Sequence, residues 1–198
     1  MSYTPEHKQR TRERIVESAA RRFKRDGFEN TGIDAIMADA GLTRGGFYAH
    51  FSSKEELFAE AIRPPCFYHG DALAKLESRD KLHRIIEAYL SRGHRDNPDA
   101  GCALPALAGD AARAGSAPRK RYSRLALGLA GVIRDALAMP NKEQAEKTAL
   151  AIIALLIGGI SLARVLGRGK ISDRVLDACR DAAISFTGID ETTKSSYH

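Results

Sequence analysis

The 198 residues contain no tryptophan and few β-branched runs, which argues against a sheet-based protein. Cysteine occurs three times, an odd number without close spacing, so a disulfide framework is excluded. The charged N-terminus has none of the apolar core of a secretory signal. The longest weakly polar run, residues 148–163, is interrupted by Gly158-Gly159 and falls short of the roughly 20 residues that cross a bilayer. Internal repeats and low-complexity tracts are missing as well. These absences leave a cytoplasmic chain with no membrane partner as the expectation.

What is present is helical. Hydrophobic residues make up 43% of the chain, enough for an ordinary core, and Ala, Leu, Arg and Glu recur at helical spacing. The fold class read from this is all-α. Net charge is +6, unevenly placed: residues 1–25 hold eight Lys/Arg against three Glu, whereas residues 26–62 hold two against seven acids. Positive potential at the first helix suits phosphate attraction, and it equally suits a solvated face.

Thr4-Pro5 opens the first helix as an N-cap followed by proline at the first helical position. Ile15, Ala19 and Phe23 form its buried stripe, and Gly27 ends it. Thr31-Gly32-Ile33-Asp34 has the form of a capping box for a second helix over 33–40. Gly41 turns the chain, Thr43 caps a third helix ending near His50-Phe51, and Ser53-Lys54-Glu55-Glu56 opens a fourth. Pro64-Pro65 breaks that fourth helix. Further on, helices are expected around residues 82–89 and 106–113, from 116 onward, from 141 to 166, and from Ser172 to about Gly188. Residues 92–102 read as a polar loop, and residues 191–198 as a disordered tail.

Two short helices meeting at a glycine turn, held together by Ile36, Ala40, Leu42 and Phe47, make a helix-turn-helix. Gly45-Gly46 weakens the start of its second helix by about 1 kcal/mol per glycine, a loss that close backbone approach to DNA can offset. Arg44 is the candidate base reader, because its fork matches the two acceptors of guanine. Tyr48, His50 and Lys54 suit phosphates, while Thr31 and Thr43 could cap and contact phosphate together.

On Phe23, Gly27-Phe28, Thr31, Ile36, Ala40-Gly41-Leu42-Thr43, Phe47-Tyr48, Phe51, Lys54 and Leu57, the chain resembles the TetR-like (tetracycline-repressor-like) bacterial transcriptional regulators. It departs at Met37, where that family usually has alanine, and at Gly46, often Thr or Ala there. The resemblance implies an N-terminal three-helix DNA-binding module followed by a helical ligand-binding and dimerisation domain. On this reading, residues 1–53 bind DNA and residues 54–190 bind effector and dimerise. It further implies a homodimeric repressor, released by an effector from a palindromic operator with half-sites about 34–36 Å apart. No cofactor is expected.

Two apolar faces in the C-terminal half fit a four-helix dimer bundle. One carries Ile152, Leu155, Leu156, Gly159 and Leu162, the other Val175, Cys179, Ala182 and Phe186. Candidate linings of a pocket for a small apolar or aromatic effector are Phe67, Tyr68, His69, Tyr89, His94, Cys102, Leu107, Tyr122, Leu125 and Leu129. Cys102, just before a helix and near Arg92, His94 and Arg95 in sequence, is also readable as a thiol sensor of oxidants or electrophiles, or as a buried small hydrophobe. Cys66 with His69 supplies two ligands without a second pair, which does not define a metal site. Cys102 with His94 has no third orienting group, so an enzyme is not expected. A sequence-indifferent DNA-coating protein stands as the remaining alternative.

Overall fold

The computed structural model describes residues 4–63 and 78–188, and within them every regular element is helical. These residues gather into two compact units, one containing 4–63 and 98–125, the other 78–97 and 126–188. Pro64-Pro65, Cys66, Phe67, Tyr68, His69 and the tail 191–198 lie outside the described residues.

In the first unit α1 (Pro5–Asp26) starts at its sequence signal. Thr4 has extended backbone angles, and its hydroxyl accepts from the His7 amide at 3.3 Å. Ile15, Val16, Ala19 and Phe23 turn inward and are fully buried, with α2 (Ile33–Asp39) and α3 (Lys54–Ala61) adding Ile36, Met37, Leu57 and Phe58 to the same core. Phe23, Phe28 and Phe58 have ring centroids 4.6 to 5.7 Å apart. Each such ring contributes about 1.5–3 kcal/mol by leaving water. Ser53 caps α3 by accepting from the Glu56 amide at 3.1 Å, and the Glu56 carboxylate returns to the Ser52 amide and hydroxyl.

Thr31 does not open α2. Gly32 holds the cap position without a side-chain bond, whereas Thr31 is buried and donates its hydroxyl to the Gly27 carbonyl at 2.7 Å. The carbonyl left over at the end of α1 competes for that hydroxyl and wins.

The compact unit also extends past residue 53. Besides α3 it takes in α6 (Ala103–Arg113) and residues 116–125 of α7 (Ser116–Leu137). Leu107 and Ala111 enter the core, Asp110 Oδ2 accepts from the Phe28 amide at 3.0 Å, and Lys24 Nζ donates to the Gly101 carbonyl at 3.1 Å.

The second unit contains α4 (Ser78–Tyr89), α5 (Arg92–Asp96), the rest of α7, α8 (Lys142–Val165) and α9 (Lys170–Ser185). Asn141 caps α8 by accepting from the Gln144 amide at 3.1 Å. Residues 92–96 are helical rather than loop, capped by Ser91. Arg95 explains why: its buried guanidinium donates to Asp96 at 2.7 Å, Ser172 at 2.9 Å and Asp173 at 2.7 Å. Ser172 therefore lies inside the network instead of opening α9, donating its own hydroxyl to the Ala163 carbonyl at 2.7 Å. Arg95 holds the carboxyls of Asp96 and Asp173 below the usual carboxylate range. By length and composition α8 could cross a membrane, but Ile152, Leu156, Ile160 and Ala163 are buried within the protein, as a core helix requires.

Candidate nucleic-acid interface

The turn between α2 and the recognition segment depends on Gly41. Its φ is +67°, a conformation that costs a side-chain-bearing residue strain, and the Arg14 guanidinium lies 3.0 Å from where a Cβ would be. Arg14 donates to the Ala40 carbonyl and secures the end of α2.

Residues Arg44–Ala49 form a 3-10 helix, not the expected α-helix. Gly45-Gly46 removes the propensity that would favour α geometry, and the tighter winding places every third residue on one face. Phe47 is fully buried and fixes the segment to the core, in ring contact with Phe51 at 5.8 Å. Tyr48 is 65% exposed, and no atom outside the glycine's neighbours lies within 4 Å of a Cβ built at Gly45. Thr43, Gly46 and Ala49, three residues apart, line a groove of about 430 Å3 with His7, Lys8, Thr11 and His50. Met37 and Leu42 complete its lining. Met37 Cε lies 3.6 Å from the Cβ position of Gly46, so the two departures from the family pattern are neighbours in space.

Of the expected DNA contacts, Thr43, Arg44, Gly45 and Tyr48 stand on the open surface. Thr43 makes no capping bond with its side chain. Arg44 Nη1 donates to Asp34 Oδ2 at 2.7 Å, a partner that local sequence did not indicate. Lys54 Nζ sits 4.3 Å from the Phe28 ring centroid and 3.5 Å from the Glu29 carbonyl, which directs its charge toward one place. His50 is half-buried, and its Nδ1 has no hydrogen-bond partner among the described residues. Burial, then repulsion from Lys8 and Arg12, keeps its pKa below the ordinary histidine value. Thr31 is buried and its hydroxyl is donated to the Gly27 carbonyl, so it does not share the open surface of the others.

The cations of α1 are mostly engaged inside the unit. Arg12 pairs with Glu60 and lies over the Phe51 ring, and Arg63 reaches back to Glu13. Arg21 pairs with Asp39, and Arg22 and Arg25 with Asp26. Much of the positive charge that suggested phosphate attraction thus neutralises acids of its own unit.

The expected dimer residues divide by burial. Ile152, Leu156 and Gly159 face the protomer's own core. A Cβ on Gly159 would fall 2.9 Å from Leu90 and 3.0 Å from Cys179, so this glycine serves helix contact inside the second unit. Leu155, Val175, Cys179 and Ala182 are half-buried, while Leu162 and Phe186 are exposed, as is Val165 at 85%. A Cβ built at Gly158 meets nothing within 4 Å.

The effector candidates also divide. Cys102 and Leu107 are buried in the first unit, where Tyr122 and Leu125 pack on its core. The Tyr122 hydroxyl donates to the Leu104 carbonyl at 2.9 Å, and burial raises its pKa to about 12. Tyr89, His94 and Leu129 are buried in the second unit, with His94 Nδ1 2.8 Å from the Tyr89 carbonyl. Arg92 and Arg95, read as possible activators of the Cys102 thiol, are bound instead to Asp173.

Surface and turn define a helix-turn-helix protein. Residues 15–61 match the family model for bacterial regulatory proteins of the tetR family. It is 35% identical over 99 residues to the uncharacterized HTH-type transcriptional regulator YfiR of Bacillus subtilis, covering 48% of each chain. It is 40% identical over 104 residues to the HTH-type transcriptional regulator AcrR of Shigella flexneri, covering 46% of this chain and 47% of that one. The chain thus spans about half the length of these curated relatives. Among solved structures, a TetR transcriptional regulator from Chloroflexus aurantiacus J-10-FL is similar, with TM-score 0.73, 26% identity and coverage of 91% of this chain and 96% of that one. A TetR-family regulator from Cytophaga hutchinsonii shares the fold, with TM-score 0.74, 23% identity and coverage of 96% and 99%.

Proposed function

We propose that the protein is a homodimeric transcriptional regulator, a repressor that holds a palindromic operator and leaves it when a small apolar or aromatic effector binds. The observation that carries this reading is the open face of residues 43–48. Thr43, Arg44, Gly45 and Tyr48 are exposed together on a rigid segment anchored by the buried Phe47. Such a face suits entry into a major groove, with Arg44 at base edges and Tyr48, His50 and Lys54 at flanking phosphates.

Dimerisation is supported by the apolar stripe through Gly158, Leu162 and Val165 on α8, together with Ile171 on α9 and Phe186 at its C-cap, all exposed in the protomer. Two copies would bury it and set two recognition segments at the spacing of an inverted repeat. The internal pairing of α1's arginines favours a specific regulator over a protein that merely coats DNA. Because operator and effector would act through one molecule, each would weaken the other's binding by the same factor. A protein acting in this way would work in the cytoplasm.

The test is fluorescence anisotropy on the promoter beside the protein's own gene and on random duplex. A regulator should prefer the promoter by about a thousandfold or more. Equal affinity for both DNAs would remove the proposal.

A further inference from the structure

We propose that the first unit carries a separate anion site, a cationic groove between the end of α3 and the start of α7 that takes a small phosphate-bearing polyanion. The sequence raises the question. Arg119, Lys120, Arg121 and Arg124 fall in the first nine residues of α7, and the next acid along the chain is Asp135. Backbone dipoles already make a helix N-terminus positive, so acids stabilise that end and cations oppose it. The helices α1, α8 and α9 follow this preference with Glu6, Glu143 and Asp173 in their first turns. A chain that concentrates like charge against the local preference is one in which a ligand can supply the missing countercharge.

The geometry supplies the receptacle. Lys120, Arg121 and Arg124 line a cavity of about 480 Å3 together with Arg63, Glu60 and Ala117. That volume lies in the range of small-molecule sites. Glu60 is the acid in this lining, and Arg12 neutralises it. Arg63 is held by Glu13 and by the Glu60 carbonyl at 3.0 Å, and Arg121 Nε donates to the Ile62 carbonyl at 3.1 Å. Lys120 and Arg124 are exposed and have no carboxylate partner among the described residues. The Arg121 fork, preset by its Nε bond and flanked by two unneutralised cations, matches the oxygens of adjacent phosphate groups.

Arg63 and Arg121 both grip the last residues of α3, at the end of that helix away from Lys54. A bound polyanion would draw on the Arg121 guanidinium and so bear on the helix beside the recognition segment. This inference does not depend on the operator reading, because pyrophosphate binding is measured in the absence of DNA.

The experiment is isothermal titration calorimetry of the full chain with inorganic pyrophosphate. The expected result is a saturable isotherm with one site per chain, weakened about tenfold or more in Lys120→Ala/Arg124→Ala. The double variant Arg84→Ala/Lys142→Ala, which removes the same charge from exposed positions elsewhere, should bind as the wild type does. An unsaturable isotherm, or equal weakening in both double variants, would overturn the site. So would a result in which pyrophosphate fails to bind while Lys120→Ala/Arg124→Ala lowers the salt slope of DNA binding by about two, since the DNA backbone would then be the occupant.

Discussion

Arg44 Nη1 and Asp34 Oδ2 are 2.7 Å apart, in a pair whose side chains are 67% and 64% exposed. An ion pair so open to water contributes less than about 1 kcal/mol to folding, so its effect is to hold the guanidinium in one orientation. Asp34→Asn is expected to leave thermal stability nearly unchanged. It should raise affinity for random duplex, because a carboxylate near phosphates is lost, and lower discrimination at the base pair Arg44 reads. Arg44→Ala should reduce discrimination there by about 1–3 kcal/mol. Anisotropy on operators carrying single base-pair changes measures both effects, and an Asp34→Asn protein with undiminished selectivity would sink the orienting role.

Adjacent glycines in α8 should behave oppositely. A Cβ on Gly159 meets Leu90 and Cys179 at 2.9 and 3.0 Å, while one on Gly158 meets nothing. Gly159→Ala is expected to cost about 1–3 kcal/mol through overpacking. Gly158→Ala should stabilise the isolated protomer by up to about 1 kcal/mol through helix propensity. Urea unfolding of the two variants tests this, and a Gly159→Ala protein as stable as wild type would contradict the packing.

The exposed apolar stripe makes a further prediction. Leu162→Glu with Val165→Glu should convert dimer to monomer in sedimentation velocity without loss of helicity, since neither residue belongs to the protomer's buried core. An unchanged sedimentation coefficient would exclude this stripe as a dimer contact.

Local signals were legible in the sequence and distant ones were not. Thr4, Ser53 and Asn141 were readable as caps because each bonds an amide three residues along. Thr31 was misread because the same hydroxyl could serve two partners, and only the backbone at Gly27 decided between them. Residues 92–96 looked like loop because their polarity is satisfied by Ser172 and Asp173, 77 and 78 positions away. Gly45-Gly46 announced a weakened helix start, but not that the whole segment would wind as a 3-10 helix. The inclusion of α6 in the first unit rests on Leu107 and Ala111 entering its core and on Asp110 meeting the Phe28 amide, contacts with no local sequence signature.

His50 gives a pH dependence of known sign. Its folded-state pKa is below the ordinary value, so the unfolded chain takes up the proton more readily. The stability associated with neutral His50 is present above about pH 6.5 and is lost as pH falls from there through the lower folded-state value. Glu13, Asp39 and Glu56 are shifted downward, so they stay ionised in this window and lose their contribution only in stronger acid. Between about pH 7.5 and 5.5 the wild type should lose more thermal stability than His50→Gln. Identical losses in the two proteins would exclude His50 as the cause.

The most direct measurement is a hydroxyl-radical footprint of the wild-type protein on the promoter beside its own gene. Two protected patches related by two-fold symmetry and centred about 34–36 Å apart are expected, both abolished in Arg44→Ala at a protein concentration that saturates the wild type. A single patch, or featureless protection that survives the substitution, would contradict a dimer reading paired grooves.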